Sequence, residues 1–593
     1  MKILILADSR GMWPRERNWP GMFAIKLGSS HEVQAYVSGV NCWLGDLHMM
    51  ENHLLSTFPG QYFDLIIHQG GWHEGGPCFW PPEIWANITN TPHRKHNPDA
   101  LTHPIVSLRD GKHKNLYVDR KCEKEIFEVF KKHASRVLLV GLGALRPPND
   151  LEVEYKLGME HHYCMLETND VFMKYGHDQV NMPMDDYWIN TSTGPDRIHY
   201  NAQGSDYLSD YLVRYINRLG TTLHWYLSNS EKCSALYEKA LKLGTEIASK
   251  TNQGDIVILA KDDPEELSHL FWGCLFYGRI PLIKQITPSQ VKEIQRLTDA
   301  KLCICEAKDA EFIQPLIPTE ITVVGSGIIQ QPPSICCDDI AFVQIENETH
   351  NLLKITHKAA IEQCIEYGTK VGINKDSKIL SWFPLQTNGG IFTSLLLPGV
   401  FDCHVCLVNT FGPAFDTDKI VKELSDFKCT HSWLYGNMIK SILKSSDISV
   451  SGIDLSALTH LVDTSEISTG EDYTNFLTKF SNLGLNVDAV SRCFVSEKNG
   501  FSVTQSEGIK LSTDGSSVSS GRNIPGISIL IFNSKDEDIS ETGEAGRVMI
   551  RSGTLTTAET GKFGYVDTGN RGFMQEGELF VTSYDQGKNT TTS

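Results

Sequence analysis

The chain has 593 residues, 40% hydrophobic and 21% charged, which are the proportions of a folded globular protein and not of a disordered one. At roughly 100–200 residues per domain this length corresponds to about three to five folded units. Lys plus Arg number 54 against 72 Asp plus Glu, and the net charge of −18 excludes a protein built chiefly to hold nucleic acid, because phosphate binding needs a basic face.

The chain opens on Met1-Lys2 and a short apolar run that ends in a charge at Asp8, too brief for the apolar segment of a secretion signal. No stretch approaches the roughly 20 apolar residues of a membrane span, so a cytoplasmic protein is expected. The cysteines number 15, an odd count at irregular spacing, which fits reduced thiols. Ile3–Ala7, Asp64–His68 and Val137–Gly141 read as parallel strands buried on both faces, being apolar without interruption. Glu123–Ala134 and Ser205–Ile216 carry apolar residues at helical spacing, so the first 220 residues form an α/β sheet. The region to residue 225 holds 8 of the 11 Trp, enough to line a core or pocket. A polar stretch, Ser228–Lys232, marks a boundary. A helix from Ala235 and a strand at Ile256–Ala260 then begin a second α/β region. Gly399–Val408 reads as a strand, and its Cys403-x-x-Cys406 lacks the second ligand pair a zinc site requires. Cys336-Cys337 reads as structural. The final 60 residues are rich in Gly, Thr and Ser with short strands at Arg547–Ile550 and Glu578–Thr582.

Strand Ile3–Ala7 runs straight into Asp8-Ser9-Arg10-Gly11, placing a serine where ligands of a parallel sheet bind. Downstream, Asp196-Arg197-Ile198-His199 sets an Asp three residues before a His, spacing that lets the carboxylate orient the imidazole. In this order, at the two ends of one α/β region, the motifs resemble the SGNH (GDSL-like) hydrolases. The resemblance implies a catalytic triad of Ser9, Asp196 and His199, and an oxyanion hole of the Ser9 and Gly39 N–H groups with His73. Gly45 competes with Gly39 for that block. His73 stands in Gly71-Trp72-His73-Glu74 where the family has its Asn; a ring N–H can still donate there. Asp8, Arg10, Trp72, Glu74 and Trp80 are the expected pocket residues.

Residues 235–585 carry an ordered set of phrases. These include Gly254-Asp255-Ile256-Val257, Phe271–Leu282, Asp339–Gln344 with Thr356-His357, Ser381–Gln386, Ile453–Ser456, and Asp567–Asn570 with Gly577–Val581. The set resembles adenylate-forming enzymes, closest to fatty-acyl-AMP ligases. Where the family has a Gly-rich phosphate loop, Ile345–Ile355 has no Gly and two Glu, Glu346 and Glu348. Thr387-Asn388 replaces the family's His-Asp, Cys493-Phe494 its Tyr-Gly, and Asn570 its ribose-binding Asp; Glu497 matches the motif's Glu.

The expected architecture is α/β. It comprises a flavodoxin-like three-layer α/β/α domain over 1–222, a linker over 223–232 and an adenylation-like large α/β domain over 233–588. The latter has a small β-rich end and no C-terminal lid subdomain, and 589–593 form a disordered tail. The leading reading is a serine-dependent acyl hydrolase or acyltransferase that takes an ester or thioester through an acyl-Ser9 intermediate. Its ligase-like domain would bind an acyl chain, an acyl carrier protein or a partner without adenylating. The alternatives are a non-catalytic scaffold and a residual acyl-adenylating ligase. No cofactor or metal is expected, no nucleic acid and no membrane span; a homo-oligomer is left open.

Overall fold

The computed structural model of the protein describes residues 1–7, 15–37, 57–69, 120–141, 177–183, 185–193, 199–230, 232–325, 329–346, 350–407, 417–434, 438–444, 452–465, 469–556 and 560–584. It also describes the strands at 78–80, 101–106 and 114–118 and single residues at 54, 166, 169, 170, 173 and 174.

β1 (Lys2–Ala7), α1 (Trp19–Leu27), β2 (Glu32–Val37) and β3 (Phe63–Gln69) come first. A small antiparallel sheet follows, made of β4 (Cys78–Trp80), β5 (Leu101–Val106) and β6 (Lys114–Val118). Then come α2 (Arg120–His133), β7 (Ala134–Val140), β8 (Asp178–Val180) and α3 (Ala202–Arg218). The first sheet has the order β2-β1-β3-β7-β8, and every pairing in it is parallel. Counted along this sheet the order is 2-1-3-4-5, that of a doubly wound sheet. Its uninterrupted apolar runs have a direct cause. Ile3, Ile5 and Ala7 enter one core with α1 and α3, while Leu4 and Leu6 enter another with Phe127 and Phe130 of α2. The helix expected to run through Ala134 stops at His133, because Ala134 pairs with Phe63 as the first residue of β7. α3 starts earlier than its apolar pattern, capped by Asn201, whose side chain accepts from Gly204 N at 3.1 Å.

The segment expected as linker contains a helix, Leu223–Ser228, and its Leu223 and Leu227 belong to the largest core. Beyond it, α4 (Ser234–Ala248), β9 (Ile256–Ala260), α5 (Pro264–Phe276), β10 (Ile280–Ile283), β11 (Leu302–Cys305) and β12 (Thr319–Glu320) build a parallel sheet of order β10-β9-β11-β12. α4 and α5 touch through glycine: a Cβ on Gly244 would lie 2.5 Å from the Gly273 carbonyl oxygen. β13 (Ile340–Ile345) and β14 (Leu352–Thr356) form a hairpin leading into α6 (His357–Lys370). β15 (Lys378–Ser381), β16 (His404–Leu407), β17 (His431–Leu434), β18 (His460–Asp463) and β19 (Val490–Arg492) make a second five-stranded parallel sheet, order β16-β15-β17-β18-β19. The strand expected over Gly399–Val408 is corrected. Leu397–Phe401 is helical with Pro398 in its first turn, Asp402 reverses the chain at φ 49°, and β16 begins at His404. After the short pair β20 (Thr504–Gln505) and β21 (Arg522–Asn523), an antiparallel sheet of β22 (Ile527–Phe532), β23 (Gly546–Ser552), β24 (Val566–Gln575) and β25 (Glu578–Tyr584) forms the β-rich end. Residues 589–593, expected as a tail, lie outside the described residues.

α3 and α6 meet along a buried charged seam. Arg218 Nη1 donates to Glu366 Oε1 at 2.5 Å and Arg214 Nη2 to Glu366 Oε2 at 2.7 Å, and the Glu366 side chain is 1% exposed. Tyr211 donates to Glu362 at 2.8 Å. Nearby, Asp178 of β8 holds Arg136 at 2.7 Å and Lys358 of α6 at 2.5 Å. Asp338 is the third member of the one candidate metal-ligand group found among the described residues, with Cys336 and Cys337, but it is engaged by Lys358 at 3.2 Å and Arg136 at 3.3 Å. Among the cysteines described, Cys336 alone is exposed, whereas burial pushes the thiols of Cys274, Cys429 and Cys493 up to about 12. No helix among the described residues is long and apolar enough to cross a membrane.

Removing one member of a buried ion pair strands the other, so Glu366→Ala is expected to cost about 3–5 kcal/mol in urea unfolding. The exposed pair Lys242–Glu238 serves as control, and Lys242→Ala is expected to leave the urea midpoint nearly unchanged. A pH dependence follows from two histidines. Burial holds His357 down to about 3, with His224 adding repulsion, and holds His431 down to about 4. Between these values and about 6.5 the unfolded chain binds protons that the fold excludes. Stability is therefore full above about pH 6.5 and falls as pH drops, by up to about 1.4 kcal/mol per pH unit for each histidine. Urea midpoints measured from pH 7 to pH 4.5 check this, and the slope is expected to flatten in His357→Asn/His431→Asn.

Candidate functional site

In a parallel sheet, ligands bind beyond the carboxyl ends of the strands. In the second five-stranded sheet, β15 leads there into Trp382–Asn388 and β19 into Cys493–Asn499. Thr387 accepts from Gly390 N at 3.1 Å and so starts the helix Asn388–Ile391. Asn388 Nδ2 then donates to the Glu497 carbonyl at 3.4 Å, joining the two segments. The same carbonyl takes the Thr556 hydroxyl at 3.0 Å, and Thr556 N donates to Lys498 O at 2.9 Å. Lys354 N of β14 donates to Thr556 O at 3.0 Å, so the β13–β14 hairpin is tied to the same place.

The hairpin's last register pair is Ile345 with Leu352, which leaves only residues 346–351 to make the turn. Glu346 N donates to Asn351 O at 2.9 Å and His350 N to Glu346 O at 3.1 Å. The Glu346 side chain is 8% exposed, with Oε1 3.6 Å from Lys498 Nζ. Lys498 also donates to the Asp567 carbonyl at 2.9 Å, which brings β24 to the cluster. From sequence, Glu346 and Glu348 would repel a phosphate. The structure qualifies this for Glu346, whose charge is paired with Lys498; Glu348 lies outside the described residues. Asn570 closes a local turn, its Nδ2 donating to Thr568 O at 3.3 Å around Gly569 at φ 78°.

Four buried polar atoms in these segments have no hydrogen-bond partner among the described residues: Gln344 Nε2, Trp382 Nε1, Gln386 Nε2 and Asn388 Oδ1. Each such atom costs about 1–3 kcal/mol if nothing satisfies it, and native folds keep few of them. Three are N–H donors. Such N–H donors and an ammonium such as that of Lys498 are the groups that bind an oxyanion, a carboxylate or a phosphate where they converge. Behind Asn388 the wall is aromatic: Phe392 stacks on Phe501 at 5.5 Å and meets Phe342 at 6.1 Å.

The expected triad and oxyanion residues Ser9, Gly39, His73 and Asp196, with Asp8, Arg10, Trp72 and Glu74, lie outside the described residues. Trp80 is placed only by the backbone of β4. His199 is described and half-buried, two residues before the cap of α3.

No protein-family model matches the chain. Among solved structures, it is similar to the adenylation domain of a keto acid-selecting NRPS module bound to keto acyl adenylate, at 18% identity and TM-score 0.54, over 59% of this chain and 77% of that one. It is similar to fatty acyl-adenylate ligases from E. coli and L. pneumophila at 17% identity and TM-score 0.54, over 59% and 73% of the two chains. It is also similar to the A-PCP of McyG complexed with phenylalanyl-adenylate, at 19% identity and TM-score 0.57, over 62% and 66%. About 60% of the chain thus has the fold of an adenylate-forming enzyme. These likenesses correct the expectation of a serine esterase, thioesterase or O-acyltransferase: the solved structures that share the fold are adenylating enzymes, not serine hydrolases. The hydrolase reading rested on short motifs, Asp8-Ser9 and Asp196-x-x-His199, that are individually common.

Sequence reasoning quoted Gln344, Trp382 and Gln386 only as parts of phrases and passed over Lys498. The signal for Lys498 was its place directly after the matched Glu497. If Lys498 and Glu346 neutralise each other, Lys498→Met and Glu346→Gln are each expected to destabilise the protein. The double variant should recover part of the loss, with a coupling of about 0.5–3 kcal/mol in a double-mutant cycle of urea unfolding.

Proposed function

We propose that this chain is a residual acyl-adenylating ligase whose oxyanion site is built from side-chain donors in place of a Gly-rich loop. The observation that carries the reading is the set of unpartnered donors on Gln344, Trp382 and Gln386, carried by the β13–β14 hairpin and the segment after β15, which hydrogen bonds tie to Glu497 and Thr556. Gln344, Trp382 and Gln386 orient the acid carboxylate, and Lys498 offsets negative charge on the nucleotide. In the reaction class, a carboxylate oxygen attacks the α-phosphorus of ATP, a C(=O)–O–P linkage forms, and pyrophosphate leaves with the bonding electrons. The aromatic wall of Phe392, Phe501 and Phe342 favours an apolar acyl or aryl acid. A carrier protein is the proposed acceptor, supported by the likeness to an A-PCP structure. The first sheet, all parallel with order 2-1-3-4-5, supports an SGNH-like scaffold over 1–222 ahead of the ligase-like unit over 233–588. No hydrolytic step is assigned to it.

The Glu346–Lys498 pair favours a second reading, acid binding without adenylation, because Glu346 already occupies the cation. One experiment separates them: ATP–pyrophosphate exchange over a panel of fatty, aryl and keto acids, run beside acid-dependent shifts in melting temperature. The ligase reading expects acid-dependent exchange that falls about 10²-fold or more in Lys498→Met and does not fall in Glu346→Gln. Acid-induced stabilisation without exchange supports the second reading. If no acid gives either signal, both are wrong.

A further inference from the structure

We propose that the cavity between strand β8 and helix α6 is a binding site for a small oxyanion, a carboxylate or a phosphate. The cavity has a volume of about 250 Å³ and is walled by Gln179 and Asn181 at β8, Tyr215 of α3, Lys358 and Glu362 of α6, and Gly553 just beyond β23. It lies where the first sheet abuts the ligase-like unit and shares no lining residue with the oxyanion cluster around Lys498. Its size, below the roughly 300 Å³ at which drug-sized pockets begin, selects a small ligand.

Unpartnered donors gather at its β8 wall. Asn181 is 1% exposed and its Nδ2 has no hydrogen-bond partner among the described residues; the same is true of both polar atoms of the Gln179 amide. Asn181 Oδ1 accepts from Arg551 Nε at 3.0 Å. Arg551 is 0% exposed, lies over the Tyr565 ring at 4.8 Å, and its Nη2 also lacks a partner. A buried guanidinium whose hydrogen bonds go only to an amide and a carbonyl oxygen is uncommon, because transferring the charge from water needs a counter-charge.

The charge count around the cavity points the same way. The cations are Arg136, Arg214, Arg218, Lys358 and Arg551, and the anions are Asp178, Asp338, Glu362 and Glu366. These four anions are paired with Arg136, Arg214, Arg218 and Lys358, whereas Arg551, which reaches the cavity only through Asn181, hydrogen-bonds to no carboxylate among the described residues. Asp170, the carboxylate whose charge acts on Arg551, is bound to Lys174 at 2.6 Å. The two carboxylates that line the cavity are already engaged. Asp178 is ion-paired with Arg136 and accepts from Lys358 and Tyr215, and Glu362 accepts from Tyr211 with Arg218 at 3.5 Å. An incoming oxyanion would accept from the Asn181 and Gln179 amides and would stand one residue away from the Arg551 charge, which Asn181 screens from the cavity.

Calorimetric titration of the full chain with malonate and, separately, with inorganic phosphate, at constant ionic strength, tests this. Saturable 1:1 binding of malonate alone assigns a carboxylate ligand, and of phosphate alone a phosphate ligand. Asn181→Asp supplies the missing carboxylate to Arg551, so it is expected to raise the melting temperature and to weaken binding at least 10-fold. Gln179→Leu, at a half-buried position, is expected to weaken binding several-fold with the fold intact, and it carries the test if Asn181→Asp does not fold. Lys498→Met should leave binding unchanged, which distinguishes this cavity from the site proposed for the ligase reaction. Failure of both anions to saturate below about 10 mM overturns the proposal, as does wild-type affinity in the substituted proteins.

Discussion

Two guanidiniums converge on the carboxylate of Glu366 inside the protein, and the joint between the first sheet and the ligase-like unit is organised around them. Arg214 and Arg218 come from α3, the last helix of the first α/β layer, and Glu366 comes from α6, which follows the β13–β14 hairpin. Taking these charges out of water costs several kcal/mol each and is offset by close pairing, here of both arginines with Glu366, with Glu362 3.5 Å from Arg218 and Tyr211 alongside. A seam of this kind tolerates no sliding: displacing α3 by one turn would bury charges without partners. It therefore fixes where α6 stands. With α6 fixed, the hairpin that precedes it and the oxyanion cluster that the hairpin completes are held in place.

The parallel strands were legible from sequence because both faces of each are covered, which removes polar residues and leaves an apolar run that a single window can detect. The helix α4 was legible for a different local reason, apolar residues at helical spacing with charged residues between them. Its glycine was visible but uninterpretable, since the cause of Gly244 is the carbonyl of Gly273 on another helix. The seam was invisible. Glu362 and Glu366 have the spacing of an ordinary solvated helix face, and their partners on α3 lie 148 to 152 positions away. Gly399 misled in the other direction: it sits among strand-like residues, yet its backbone is helical where it passes Trp272.

The candidate site was legible as an ordered set of phrases and illegible as chemistry. Gln344, Trp382 and Gln386 stood in the right phrases, but an amide or indole N–H becomes informative only when burial shows that it lacks a partner. Glu346 read as a carboxylate that would repel phosphate, because its pairing with Lys498 spans the hairpin and a distant turn. The serine and histidine motifs of the first 200 residues drew the strongest functional reading, and it is the one the structural likenesses corrected. Short motifs weigh heavily in a linear reading because their members are adjacent or nearly so. The ligase-like fold was legible because its phrases recur in order across residues 235–585, and the likeness to adenylate-forming enzymes over about 60% of the chain agrees with it.

The distribution of thiols has a practical side. Cys336, the exposed cysteine among those described, lies two residues before Asp338, and its Sγ is 4.0 Å from that carboxylate. Thiolates, not thiols, react with alkylating reagents, and burial that pushes Cys274, Cys429 and Cys493 up to about 12 makes them slow to do so. A fluorophore or spin label attached at Cys336 would stand beside Arg136 and Lys358, the cations that bind Asp338 and Asp178 where the first sheet meets α6. The native sequence thus places a spectroscopic handle at the joint between its two parts.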